Sequence, residues 1–222
     1  PTIFYRDKGI ELENIKSDLL FSTLISRKFS LSNLSISSKS VDLKKFVSFV
    51  RGIENRPDLY LLENFIKSGF IIIDMNLFFD EKGNLQNNFE LNGSVRDGKL
   101  KFLKKNEFKG INFLFSIKKD LISFVKIRTS FDKMNLSSQK IQIKKEQNGF
   151  LVKGKISNQK IKLNSDYIEK YLFQFPEILI LKDVTFKSEN DFSFLINKKY
   201  KIKNLDLNSS INLSELTFDN KL

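Results

Sequence analysis

The chain is 222 residues long, with 38 Lys and Arg against 26 Asp and Glu, a formal net charge of +12, and no Cys, His or Trp. Without His and Cys, Ser-His-Asp triads, Cys-His pairs, disulfides and ordinary zinc sites are excluded within it. No apolar run approaches the roughly 20 residues of a membrane-spanning helix; Phe70 to Ile73, as long as any, stops at Asp74.

Lys is abundant together with Asn, Ile and Phe, while Ala is missing, which is the imprint of AT-rich codons. The positive charge is therefore read as a solvated basic surface ahead of a dedicated polyanion site. Pro1 stands where an initiator Met would, and no signal segment follows it, so residues 1–222 are expected to be one continuous segment of a longer protein.

Residues 1–39 read as strands. A first hairpin is expected to turn at Asp7-Lys8-Gly9, with apolar positions at Ile10, Leu12, Leu19 and Phe21. Phe29 and Leu31 share one parity and Leu34 and Ile36 the other, which predicts a bulge near Asn33. Residues 40–69 read as a helical hairpin. Leu43, Phe46, Val47 and Val50 follow helical spacing, with Ser40 as N-cap and Gly52 as the stop. Pro57 then opens a second helix striped by Leu59, Leu62 and Ile66 and ended by Gly69.

Residues 70–164 read as a β-meander, because short turns separate strands with period-two alternation. Ile71, Ile73, Met75, Leu77 and Phe79 share a face, Asp74 and Asn76 lie opposite, and Asp80 to Asn84 form a turn. FELNGSVRDGKLKFL, residues 89–103, reads as a hairpin turning at Asp97-Gly98, with Phe89, Leu91, Val95, Leu100 and Phe102 on its apolar side. Ile111, Phe113, Phe115 and Ile117 alternate next, Lys118 to Asp120 turn the chain, and Val125, Ile127, Thr129 and Phe131 return. Ile141 and Ile143 lead to an Asn148-Gly149 turn, with Phe150, Val152 and Ile156 beyond it.

A third short helix is expected near 166–175, within a 165–176 segment capped by Ser165 and ended by Pro176. Residues 177–222 return to strands at Ile180, Val184, Phe186, Phe192, Phe194, Ile196, Leu205, Leu207, Ile211 and Leu213.

Little chemistry emerges. The acidic residues Asp80, Glu81, Asp97, Asp120, Glu189 and Asp191 are assigned to turns, where carboxylates bond local backbone. Asp74 interrupts an apolar run but shares its parity with Asn76, so it is placed on a polar face. NGSVRDG is not at a strand-to-helix junction and is not read as a phosphate loop. KLKFLKKNEFKG could imitate a single-strand-binding groove, yet inward Phe with outward Lys explains it as well.

The fold class is thus mostly β: an elongated, twisted antiparallel meander sheet, curled into an apolar groove, with about three short helices, a helical hairpin near 41–68 and one near 166–175. So few helices leave much of the apolar face to be covered by something else. About ten strands at roughly 4.8 Å spacing would make a trough about 45 Å long. A sixteen-carbon acyl tail has on the order of 12 kcal/mol of burial available there. The candidate floor residues are Ile71, Ile73, Met75, Leu77, Phe79, Phe89, Leu91, Val95, Leu100, Phe102, Ile111, Phe113, Phe115, Val125 and Ile127.

The order of several segments resembles the AsmA-like family, the group of AsmA, TamB and YhdP. Ser40 to Lys44 are similar to its helix start, Lys67 to Gly69 to the end of its helix pair, Phe79 to Gly83 to its FD-x-x-G turn, and Gly93 to Leu100 to its G-x-V-x-D-G-x-L stretch. The resemblance implies a non-enzymatic bridge-like lipid transfer protein without cofactors. It implies partners of three kinds: phospholipid acyl chains, adjoining β-groove segments of the same chain, and membrane contacted through parts outside this segment. It also implies a periplasmic location, with an inner-membrane anchor helix outside this segment, and phospholipid movement between inner and outer membranes. A structural or adhesion β-sandwich with a closed core, a basic nucleic-acid-binding domain and a transmembrane barrel are the other readings the residues leave open.

Overall fold

Short polar turns join most strands to their successors, and the strands accordingly pair in chain order. The computed structural model describes residues 1–19, 31–80, 82–102, 106–132, 134–164 and 181–218. It contains β1 (Thr2–Tyr5), β2 (Lys8–Leu19), β3 (Leu31–Ser38), β4 (Val41–Asp42), α1 (Leu43–Ile53), α2 (Pro57–Phe65), β5 (Ile66–Phe78), β6 (Glu90–Phe102), β7 (Asn106–Lys118), β8 (Leu121–Phe131), β9 (Met134–Glu146), β10 (Gly149–Asn164), β11 (Leu181–Asn197) and β12 (Ile202–Phe218).

All twelve strands form one antiparallel sheet, running from β1 at one edge through β2, β3 and β5 to β12, with β4 paired beside β5. The sheet is open, not closed into a barrel. Because every strand belongs to it, the second layer of a sandwich is missing among the described residues. The third helix expected near 166–175, and the expectations at Phe21, Phe29 and Ile180, lie outside the described residues.

The helical hairpin sits between β3 and β5. Val41 and Asp42 pair with Ile71 and Phe70, which keeps the chain extended past Ser40. Asp42 is therefore the N-cap, its carboxylate accepting from the Lys45 amide at 2.8 Å. The first helix runs one residue past Gly52, to Ile53. The second ends at Phe65, earlier than its apolar stripe suggests, because Ile66 already pairs with Leu100 in β5. Gly69 lies inside that strand.

Phe49 of α1 packs with Ile10, Leu12, Val41, Ile71, Ile73, Val95 and Phe115, so the first helix lies on one sheet face near its β2 end. Lys8 Nζ donates to the Ser48 carbonyl and hydroxyl at 2.8 and 2.7 Å, and Arg51 Nε donates to Glu63 at 2.5 Å, tying the helices to the sheet and to each other. A second, smaller cluster gathers Ile161, Leu163 and Val184 with Met134 and Phe186.

The meander contains fewer turns and more bulges than its sequence suggests. Asp97-Gly98 is no turn: β6 passes straight through it, carrying one extra residue against both neighbours, with Asp97 left-handed at φ 51°. Comparable shifts occur at Ile66 to Ser68 in β5, at Gly110 in β7 (φ 56°) and at Lys126 in β8 (φ 55°). Further ones fall between Ser137 and Ile141 in β9 and between Asn158 and Ile161 in β10. An extra residue reverses the parity of everything after it. The bulge expected near Asn33 has its counterpart where β3 shifts against β2 between Asn33 and Leu31.

Two turns move by a residue. The first hairpin turns at Arg6-Asp7, and the Asn-Gly hairpin turns at Gln147-Asn148, with Gly149 starting β10. Glu189 and Asp191 also leave their expected turn. They lie within β11, where Lys155 Nζ from β10 approaches them at 2.8 and 3.7 Å.

Candidate functional site

Directly opposed residues on neighbouring strands project to the same side of a sheet, so the register assigns each side chain to a face. One row crosses nine strands without a polar residue: Ile15, Ile36, Met75, Leu91, Ile117, Ile122, Ile143, Val152 and Phe194 stand opposite one another in succession. Beside it runs Ile73, Gly93, Phe115, Phe124, Ile141, Gly154, Phe192 and Leu207.

Across the line of bulges the same face continues through Ile66, Leu100, Phe108, Phe131 and Met134. Aromatic rings reinforce this part. Phe65 to Phe102, Phe102 to Phe108, and Phe108 to Phe131 lie 4.7, 5.9 and 4.7 Å apart between centroids, tilted or edge-on.

Fourteen of the fifteen expected floor residues meet on this face or at its rim. Met75 and Leu91 belong to the nine-strand row; Ile73 and Phe115 to its neighbour; Ile71, Val95 and Phe113 to a third; and Leu77 pairs with Leu34. Ile111 opposes Gly98 and Ile127 opposes Ser138. Leu100 and Phe102 share the face because of the β6 bulge. Phe79 bridges to Leu85 just beyond β5, and Phe89 immediately precedes β6.

Val125 is the exception. It opposes Leu114 and Lys140 and lines a shallow polar-side depression with Ile72, Asp74, Asn92 and Ser123. Lys126 inserts an extra residue after it, so Val125 and Ile127 point to opposite faces despite equal parity. Before that bulge the apolar positions of β8 are Ile122 and Phe124, which the alternation from Val125 onward conceals.

Not all of the face is open. Ile71, Ile73, Val95 and Phe115 are 5, 8, 4 and 9% exposed and form the core beneath α1. Met75, Leu91, Ile117, Ile122 and Ile143 are half-buried. At the far edge β12 exposes nearly every residue.

The other face carries the charges. Lys118 bonds Glu90 at 2.6 Å, Lys99 approaches Glu107 at 3.0 Å, and Lys162 approaches Asp183 at 3.2 Å. A hydrogen bond from Lys155 holds the Glu189 carboxyl below its ordinary range, as one from Lys99 does for Glu107. Asp74 sits here too, accepting from Ser37 Oγ at 2.6 Å. These are cross-strand pairs at the surface. Among the described residues no three acidic side chains converge as a metal site requires, and no helix is long and apolar enough to cross a membrane. No protein-family model, curated protein or solved structure matches the chain.

Proposed function

We propose that the chain is a non-enzymatic, lipid-binding segment of an AsmA-like envelope protein, conducting phospholipid between inner and outer membranes along an apolar β-groove. The observation that carries this reading is the nine-strand apolar row. At about 4.8 Å per strand it extends roughly 38 Å, and from Ile122 onward its residues lie outside the cluster that α1 covers. Acyl chains are the occupant whose burial scales with such a length, at about 0.8 kcal/mol per methylene. Headgroups would stay at the margin, with the polar face turned to the periplasm. The membrane anchor and the adjoining groove segments would be supplied by parts outside these residues.

A photoreactive residue introduced in turn at Ile122, Ile143, Ile71 and Lys140 tests the reading in bacterial cells. Phospholipid adducts are expected at Ile122 and Ile143, and none at Ile71 beneath the helix or at Lys140 on the polar face. Extraction of the purified chain should release phospholipid by mass spectrometry, and an Ile122→Asp, Ile143→Asp double variant should lose most of it. A lipid-free chain with no adduct at either open position would sink the proposal.

A further inference from the structure

Six of the 38 Lys and Arg residues are Arg, so the codon bias that multiplies Lys does not account for them. Among the described residues Arg51 bonds Glu63, Arg56 bonds Asp58, and Arg6 lies over the Tyr5 ring. Arg96 and Arg128 remain. Both are exposed, and neither side chain forms a hydrogen bond, ion pair or ring contact with another described residue.

The register brings these two together on the polar face. Arg96 and Asp97 make up the β6 bulge opposite Asn112 of β7, and Asn112 stands opposite Arg128 of β8. Asn112 is fixed between them: its Oδ1 accepts from the Asp97 amide at 3.2 Å and its Nδ2 donates to the Gly110 carbonyl at 2.8 Å. Two strand spacings, roughly 10 Å, separate the arginine backbones, so both long side chains can close on one anion above Asn112. The left-handed residues Asp97, Gly110 and Lys126 all lie at this crossing, and bulges re-aim the side chains around them. Beside Arg128 is a shallow depression of about 310 Å³, lined by Lys109, Ser130, Asn135, Ser137 and Gln159 and by no carboxylate. Of the nearby acids, Glu107 is taken by Lys99 and Lys109 at 3.0 and 3.2 Å, and Asp97 forms no ion pair with either arginine.

We propose that Arg96 and Arg128, with the donors of this depression, form a binding site for a phosphate group. A guanidinium presents a planar fork that pairs with phosphate or carboxylate, which a Lys ammonium does not. A carboxylate has about four acceptor sites, and two forks already fill them; a phosphate keeps oxygens for Lys109 and for the Asn135 and Gln159 amides. β6 to β8 are interior strands, with four more on either side in the order of the sheet, so the site does not depend on what covers the edges. It also lies on the face opposite the apolar rows and stands whatever occupies those.

The test is an amide NMR titration of the whole chain with inorganic phosphate and with glycerol 3-phosphate, beside sedimentation with phosphatidylglycerol or phosphatidylcholine vesicles. Saturable shifts are expected at Gly110, Asn112 and Arg128. An Arg96→Lys, Arg128→Lys double variant keeps the charge and should bind about tenfold or more weakly. Lys153→Gln, elsewhere on the polar face, should bind as the unmodified chain does. Binding of the soluble probes assigns a free phosphate ester. Sedimentation with phosphatidylglycerol vesicles alone, lost in the double variant, assigns a lipid headgroup; either result upholds the site. Absence of both vesicle binding and a saturable shift up to about 10 mM phosphate overturns it. So does a double variant that binds undiminished, or a Lys153→Gln variant weakened to the same degree, since a diffuse basic surface gives both. Phospholipid extracted from the double variant should match that from the unmodified chain, so the groove reading and this one fail separately.

Discussion

Gly93 lies in the second apolar row with the Phe115 ring over it. A Cβ there would come within 2.4 Å of the Ile72 carbonyl oxygen and 2.5 Å of the ring, and the carbonyl belongs to a paired strand that cannot yield cheaply. Gly93→Ala should therefore cost about 1 to 3 kcal/mol, as overpacking does. Gly110 is the contrasting case. A Cβ there meets nothing within 4 Å, but the residue is left-handed at φ 56°, so Gly110→Ala should cost about 1 to 2 kcal/mol from backbone strain alone. Urea unfolding checks both, with lowered midpoints expected. The two causes separate when Phe115→Ala is added: it removes the ring part of the Gly93→Ala penalty and leaves that of Gly110→Ala untouched.

The helical hairpin is held by few contacts, which makes its ion pair legible in pH dependence. Burial disfavours ionised Glu63, but hydrogen bonds from Arg51 and Ser48 and the nearby charges of Arg51 and Lys8 outweigh it, and its carboxyl lies below the ordinary glutamate range. A carboxylate depressed in the folded state contributes its stability above the unfolded pKa and loses it as pH falls through the folded value. Docking of α2 should thus weaken on acidification through and below the ordinary glutamate range, and a Glu63→Gln variant should lack that component. Amide exchange of α2 followed from pH 7 downward measures it; equal acid sensitivity in both proteins would refute the assignment. The elements themselves were readable in the sequence, since apolar spacing and polar turns place nearly every described strand and both helices. The bulges were not. Asp97-Gly98 has turn chemistry and serves a left-handed bulge equally well, while Lys126 carries no signature for the conformation it adopts. Each bulge reverses parity, so unbroken alternation places Val125 on the floor and passes over Ile122 and Phe124. Glu189 and Asp191 looked like turn residues because their partner, Lys155, is distant in sequence and adjacent only through register.

At the scale of the molecule each strand touches little beyond its two neighbours, so stability should be distributed along the sheet in the manner of a repeat protein. The larger cluster links α1 to β2, β5, β6 and β7, and the smaller one spans β9 to β11. These are two separate places where apolar burial is concentrated, joined among the described residues by paired strands and the half-buried apolar rows between them. Ile71→Ala, in the larger cluster, should cost about 2 to 4 kcal/mol locally. Hydrogen exchange should then show protection falling in α1, β2, β5 and β6 while β10 and β11 keep theirs, because opening at one end does not require opening at the other. The reciprocal variant, Leu163→Ala, should loosen β9 to β11 and leave the strands under α1 protected. Uniform loss of protection from either substitution would mean that the twelve strands open as a single cooperative unit. In that case a groove built on this sheet could not admit a ligand at one end while remaining folded at the other.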